Sequence, residues 1–190
     1  MEGARAASAA DAVVVAALAR QGIAELSPNR GGSLWSRREA HAEPLDGAIA
    51  AAVSGADPDV RAVVGTVDDT IVGYGIMHVE QLHDGRPLAV VTDLYVDPGA
   101  RAIGIGEAMM DLLIADARAV GAVGIDAIAL PGDRHTKNFF ETFGLTARAI
   151  LVHRSLEEPA AAVPDPDRVV AEAALAQAAV PGADPGGEVG

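Results

Sequence analysis

Val14, Ala17, Leu18 and Gln21 fall at helical spacing behind Ser8 and Asp11, a pair three residues apart with the form of a capping box, and Ser27, Pro28, Gly31 and Gly32 follow as breakers. The spacing predicts a first helix over about 9–26. Trp35 to His41 suits a second, short helix, Pro44 interrupts, and Leu45 to Val53 is helical again up to a stop at Gly55. Beyond Pro58 the period changes. Val60 to Val67 is rich in β-branched residues, Asp68-Asp69 is a two-residue turn, and Ile71 to Val79 continues in strand composition, which together predict a hairpin. His83-Asp84-Gly85-Arg86 turns the chain into a third strand, Leu88 to Val96, ended by Asp97-Pro98-Gly99.

From Ile105 the helical period returns, with Ala108, Met109, Leu112, Ala119 and Val120 on one face and Glu107, Asp111 and Arg118 on the other, and Ile114 on the polar side. Gly121 supplies the stop. Ile125 to Leu130 is an apolar run of strand length, so the third strand, the helix and this run form a unit whose two strands lie parallel through a right-handed crossover. Asp133 to Phe143 predicts a further helix ended by Gly144, and Ala147 to Leu156 predicts a last strand. The expected architecture is α/β: a mixed central sheet, antiparallel meander plus parallel pair, flanked by helices. The domain is expected over 1–156, with 157–190 an Ala/Pro/Gly-rich acidic tail, mobile and without large apolar anchors.

Composition narrows the chemistry. The 190 residues include no Cys, which removes disulfides, zinc thiolate sites and thiol nucleophiles and fits a reducing, cytoplasmic setting. No apolar run reaches the roughly 20 residues that span a bilayer, and no spacing of His and carboxylates argues for a metal. A net charge of −13 with Lys137 as the lone lysine gives no basic face for nucleic acid. From Glu157 onward seven acids stand against Arg168, so nearly half of that excess belongs to the tail rather than to the body.

The chemistry concentrates at Arg101-Ala102-Ile103-Gly104-Ile105-Gly106, between a strand and the first turn of a helix. Free N–H groups and the positive end of the helix dipole favour an anion there, and two glycines let the backbone approach phosphoryl oxygens closely. A Walker loop is excluded because Glu107-Ala108 follows Gly106 where Gly-Lys-Ser or Gly-Lys-Thr is required. A dinucleotide fingerprint is excluded because Gly104-Ile105-Gly106-Glu107-Ala108-Met109 lacks a third glycine, and Asp126 lies early in its strand rather than at its end.

Val91-Thr92-Asp93-Leu94-Tyr95-Val96-Asp97-Pro98, followed by the Arg101 to Gly106 loop and an amphipathic helix, resembles the strand and Arg/Gln-x-x-Gly-x-Gly/Ala loop of the GNAT N-acetyltransferases. Asn138-Phe139-Phe140-Glu141-Thr142-Phe143-Gly144-Leu145 is similar to the second signature of that family, and the two occur in the family's order. The resemblance covers about 1–156 and makes Met1 to Ala6 a first strand. It implies an acyltransferase moving an acetyl group from acetyl-CoA to a primary amine in a ternary complex, with no metal. Arg101, Ala102, Ile103, Gly104, Ile105 and Gly106 would hold the cofactor's diphosphate, and Leu94 and Val96 its pantetheine, with Asn138 and Phe140 as further cofactor contacts. The expected partners are the amine acceptor and a second copy in a homodimer; nucleic acid and membrane are not expected.

Asp93 is the only acid within the central strand and is the candidate base; Tyr95, two residues on, shares its face if the strand alternates, as a substrate contact or an acid. Trp35, His41 and Glu80 are candidate substrate contacts, with Glu80 and His78 as alternative bases. Phe140 stands where many relatives carry a tyrosine able to protonate the leaving thiolate, and a phenyl ring has no proton to give. That vacancy also leaves open a catalytically weak acyl-CoA-binding sensor.

Overall fold

A computed structural model of the chain describes residues 2–156. Strand β1 (Glu2–Ala6) leads through a 3-10 turn at Ala9–Asp11 into helix α1 (Ala12–Leu26), followed by α2 (Gly32–Arg38) and α3 (Leu45–Val53). The meander is β2 (Val60–Val67), β3 (Thr70–Gln81) and β4 (Pro87–Val96); helix α4 (Ile105–Ala119), strand β5 (Ile125–Ala127) and helix α5 (Arg134–Thr142) complete it. The five strands form one sheet in the order β1-β2-β3-β4-β5, antiparallel except for the β4–β5 pair. Among the described residues, those up to Ala147 form one compact unit and 148–156 lie outside it.

Local chemistry accounts for the turns and starts. The Ser8 N–H donates to Asp11 Oδ2 at 2.8 Å and Arg5 binds both oxygens of Asp11 at 2.8 Å, so the buried carboxylate opens the first helix with its charge answered. Asp68 and Asp69 take positive φ of 45° and 66°, the left-handed pair that a two-residue hairpin turn needs. Asp133 caps α5 by accepting from the Thr136 N–H at 3.0 Å.

Each face of the sheet carries its own core. Val15, Leu18, Leu45, Ile49, Val53, Val64, Tyr74, Ile76 and Tyr95 pack under α1 and α3, and Val63, Met77, Val91, Met109, Met110, Leu113 and Phe140 pack under α4 and α5. Gly65 and Gly73 are register partners in β2 and β3, and α4 rests on them so closely that a Cβ on Gly65 would stand 2.3 Å from Ile105 Cγ2.

Several expectations need correction. The buried stripe of α4 is Ile105, Met109, Met110, Leu113 and Ala117, while Ala119 is exposed and Leu112 and Val120 only half-buried. In α1 the buried positions are Val15, Ala16, Leu18, Ala19 and Gly22, and Val14 is exposed. Both stripes are rotated for one reason: where apolar residues surround a helix, several faces satisfy the 3.6-residue period and the sheet selects among them. Strand β5 ends at Ala127 rather than Leu130. The expected last strand over 147–156 does not form; Ile150, Leu151, Val152 and Leu156 are exposed, so the burial that would stabilise a strand is absent from this stretch. The tail assigned to 157–190 lies outside the described residues.

Candidate active site

Two irregularities in β4 create the site. Ile76 pairs with Asp93 and Met77 with Val91, so Thr92 is an extra residue, a bulge that resets alternation. Beyond it Asp93 and Tyr95 face the α1 side of the sheet together, while Leu94 turns to the α4 side. The parallel pairing of β4 with β5 stops at Val91 and Ala127. From Thr92 on, the two strands diverge, and Ile128 and Leu130 line the gap opposite Asp93, Leu94 and Tyr95.

A cavity of about 780 Å³ follows this opening, bounded by Leu94, Tyr95, Val96, Arg101, Ala102, Gly106, Pro131, Thr136, Phe139 and Phe140. Ala102 and Gly104 have φ of 62° and 91°, and these left-handed residues turn the loop into α4. The helix has no side-chain cap, so its first-turn amides, those of Ile105, Gly106 and Glu107, lack partners within the helix. Gly106 keeps the first turn close to Phe139: a Cβ there would lie 3.3 Å from its ring, so the ring would have to give by a few tenths of an ångström. Arg30, Arg101 and His135 bring basic groups to the cavity and Glu25, Glu107 and Asp133 bring acids. Uncapped helix amides with basic groups around the same cavity suit a phosphate-bearing ligand.

Arg101 is already engaged. Its Nη1 and Nη2 donate to the two oxygens of Glu25 at 2.9 Å, its Nε donates to the Val96 carbonyl at 2.9 Å, and its guanidinium lies 5.4 Å from the centre of the Tyr95 ring. The pairing holds the Glu25 carboxyl below its ordinary range and raises Arg101. The Tyr95 hydroxyl donates to Glu25 Oε2 at 3.1 Å, and burial raises its pKa.

A smaller cavity of about 90 Å³ adjoins these residues and is lined by Trp35, Tyr74, Thr92, Asp93, Tyr95 and Phe140, among others. Here Asp93 accepts from the Tyr74 hydroxyl at 3.0 Å and lies 2.8 Å from Thr92 Oγ1 and 3.1 Å from His41 Nε2. Burial, with Asp93 adding to it, keeps Tyr74 far above the usual phenol range. His41 is raised by its hydrogen bond to Asp93, against the opposing effect of burial.

Most of the residues singled out from sequence therefore meet: Trp35, His41, Asp93, Leu94, Tyr95, Val96, Arg101, Ala102, Gly106 and Phe140 surround the two cavities or touch residues that do. Others do not. Glu80 is exposed opposite Leu88 on β3 and lines neither cavity, and Asn138 is exposed on α5 while Thr136, Phe139 and Phe140 face the opening. The Ile105 side chain is buried in the core, leaving only its amide for a ligand, and Ile103 is exposed and outside the cavity lining.

The sequence profile of the acetyltransferase (GNAT) family matches residues 29–145, most of the chain. The chain belongs to the GNAT acetyltransferase family. Solved GNAT-like structures superpose over most of it. The BH1408 protein of Bacillus halodurans, as a tetramutant, has 23% identity and a TM-score of 0.67 over 80% of this chain and 99% of that one. The ribosomal-protein-alanine N-acetyltransferase of Brucella melitensis biovar Abortus 2308 has 19% identity and a TM-score of 0.59 over 82% and 99%. AAC(6')-Iy, solved with the bisubstrate analogue CoA-S-monomethyl-acetylneamine, has 12% identity and a TM-score of 0.64 over 83% and 99%. No curated protein matches the sequence significantly. At these identities the structural likeness establishes the GNAT fold, with its five-stranded mixed sheet, and nothing finer.

Tyr74, Glu25 and His135 line the two cavities of this GNAT chain and were not singled out from the sequence. Tyr74 carried a usable signal, because the predicted hairpin and third strand bring β3 beside β4, where a tyrosine can reach the single strand acid. Glu25 carried none beyond its place in the last turn of α1. Among the described residues no helix is long and apolar enough to cross a membrane, and no group of three His, Asp or Glu is arranged around a metal position.

Proposed function

We propose that this GNAT chain transfers an acetyl group from acetyl-CoA to a primary amine of a small molecule or peptide, by direct attack in a ternary complex. One observation carries the reading: the gap that opens where β4 leaves β5 joins the uncapped first turn of α4 to the buried polar cluster at Asp93. The fit to acetyl-CoA is chemical. The amides of 105–107 suit a diphosphate beside an Arg101 that Glu25 holds in place, the edge of β4 around Leu94 and Val96 that β5 leaves open beyond Val91 faces the pantetheine arm, and Phe139 and Phe140 give an apolar wall. Acetyl-CoA supplies the activated acetyl carbon; the protein supplies position, exclusion of water and a route for the amine's proton.

The acid that would protonate the leaving thiolate has no obvious owner. Phe140 has no proton to give, and the Tyr95 hydroxyl is committed to Glu25. A CoA thiolate leaves tolerably near neutral pH, and a general acid is worth about 10²–10⁴-fold, so its absence slows transfer without forbidding it. A structural neighbour was solved with a CoA–aminoglycoside bisubstrate analogue and another acts on the alanine of a ribosomal protein, so cationic small molecules and peptide N-termini are the acceptors to try first. The test is release of free CoA thiol with polyamines, aminoglycosides, amino acids and peptides. Turnover with any of them supports the reading. Thermal protection by acetyl-CoA without turnover for any acceptor overturns it in favour of an acyl-CoA-binding sensor, and the absence of protection overturns both.

A further inference from the structure

Asp93 is a poor candidate for the group that receives the amine's proton, because its carboxylate is already surrounded by donors. Tyr74 donates to Oδ1, and His41 Nε2 and Thr92 Oγ1 stand within hydrogen-bond distance of Oδ2. An ionised carboxylate only accepts, so Nε2 of His41 must carry a hydrogen, which makes Nδ1 the basic nitrogen of the neutral ring. Nδ1 has no hydrogen-bond partner among the described residues. His41 is not itself in the lining of either cavity but bonds Asp93, which is, and its side chain is 20% exposed against 13% for Asp93.

We propose that His41, oriented through Nε2 by Asp93, is the proton acceptor of the transfer, with Nδ1 as the receiving atom and Asp93 as a positioning residue. This rests on the acetyl-transfer reading above. The ammonium of the acceptor gives one proton to Nδ1 before its nitrogen attacks. As the N–C bond forms and the C–S bond breaks, the nitrogen loses a second proton; one proton ends on the CoA sulfur and the other passes to solvent from the imidazolium. A carboxylate holding the far side of an imidazole fixes the tautomer and stabilises the charged ring that forms. Of the charged groups near His41, Asp93 on β4 acts on it directly and Tyr74 on β3 reaches it through Asp93. On the flanking segment, Glu39 pairs with Arg38, and Glu43 binds Arg20 and the Leu45 N–H.

The experiment compares kcat/KM from about pH 5 to 9 for wild type, His41→Gln, Asp93→Asn and Tyr74→Phe, using thiol release with the best amine. Gln at 41 retains a donor toward Asp93, so folding is preserved and checked by melting temperature. The wild type is expected to show an acid limb set by His41 above an ordinary histidine's value of about 6.5. His41→Gln should lose that limb and about 10²-fold or more in kcat. Asp93→Asn should keep the limb but move it to lower pH, which a packing role alone would not do, and the His41 ring titration followed by NMR should move the same way. Tyr74→Phe takes a donor from Asp93 and should move the limb to higher pH, opposite to Asp93→Asn. Wild-type turnover with His41→Gln retaining both its limb and its kcat overturns this proposal alone. A wild type that releases no thiol with any amine overturns the transfer reading and this proposal together.

Discussion

The way α4 sits on the sheet yields a prediction that can be worked from distances. Gly65→Ala would place a Cβ 2.3 Å from Ile105 Cγ2 and 3.1 Å from Met109 Sδ, where contacts below about 3 Å force a shift. Met109 is flexible and can yield, but Cγ2 of Ile105 is a β-branch methyl carried directly on Cβ, two bonds from the helix backbone. Relief must come from moving the first turn of α4, an overpacking cost of about 1–3 kcal/mol. For a chain of this length that lowers Tm by about 2–12 °C. The same movement disturbs the amides of 105–107, so acetyl-CoA affinity should fall along with stability. Ile105→Leu removes the offending branch while conserving volume and should cost under about 1.5 kcal/mol by itself. The double variant should therefore lose less than the two singles together, by about 1 kcal/mol, and should recover acetyl-CoA affinity. Thermal denaturation with and without acetyl-CoA measures all four proteins. Additivity within about 0.5 kcal/mol, or a Gly65→Ala protein that melts with the wild type, would show that α4 does not rest on β2 as described.

Three further outcomes are expected. Arg101→Gln leaves the Glu25 carboxylate without its cation beside the α4 amides and should weaken acetyl-CoA by about 1–2 kcal/mol, roughly 5- to 30-fold in Kd by calorimetry; an unchanged Kd would place the diphosphate elsewhere. Asp11→Asn strips the charge that answers Arg5 and should cost about 1–3 kcal/mol in urea unfolding. Because the Asp11 carboxyl is held below its ordinary range by Arg5, its contribution is present above about pH 4 and is lost as pH falls toward the folded value, so the penalty should shrink in acid. The opposite sign holds for His41: its folded pKa is raised by Asp93, so its contribution is full below about 6.5 and fades as pH rises through the folded value. Wild type should thus lose stability relative to Asp93→Asn across that window, and parallel stability curves for the two would contradict it.

Elements with punctuation at both ends were legible in the sequence. Leu45–Val53, between Pro44 and Gly55, and Val60–Val67, before the Asp68-Asp69 turn, were placed to the residue. The helix after the glycine loop also began where Ile105 predicts. What failed was orientation within elements: a run such as Val13-Val14-Val15-Ala16-Ala17-Leu18-Ala19 satisfies several helical faces at once, and packing chose the one through Val15, Leu18 and Gly22. Gly22 belongs there because a Cβ at that point would stand 3.0 Å from the Tyr95 ring, a constraint that exists only after β4 is in place. The absent strand over 147–156 shows the limit of composition, since Ile150, Leu151 and Val152 have strand propensity but no burial to realise it.

At the site the residue types were legible and their roles were not, because the roles depend on the bulge at Thr92. Regular alternation down β4 would give Val91 and Asp93 one face, and the core would then have to accept a carboxylate beside the Met77 and Leu113 cluster. The inserted residue leaves Val91 facing α4 and turns Asp93 toward Tyr74 and His41, so one irregularity both protects the core and assembles the polar cluster. Nothing in Val91-Thr92-Asp93-Leu94 distinguishes that arrangement from a regular strand, since the extra residue is defined only by its partners Ile76 and Met77. The same step explains why His41 read as a lining residue. Its partner is 52 positions away, and only the bulge brings the two together. The pairing of β4 with β5 ends at Val91, one residue before the bulge, so the point that aims the acid is also the point at which the sheet opens.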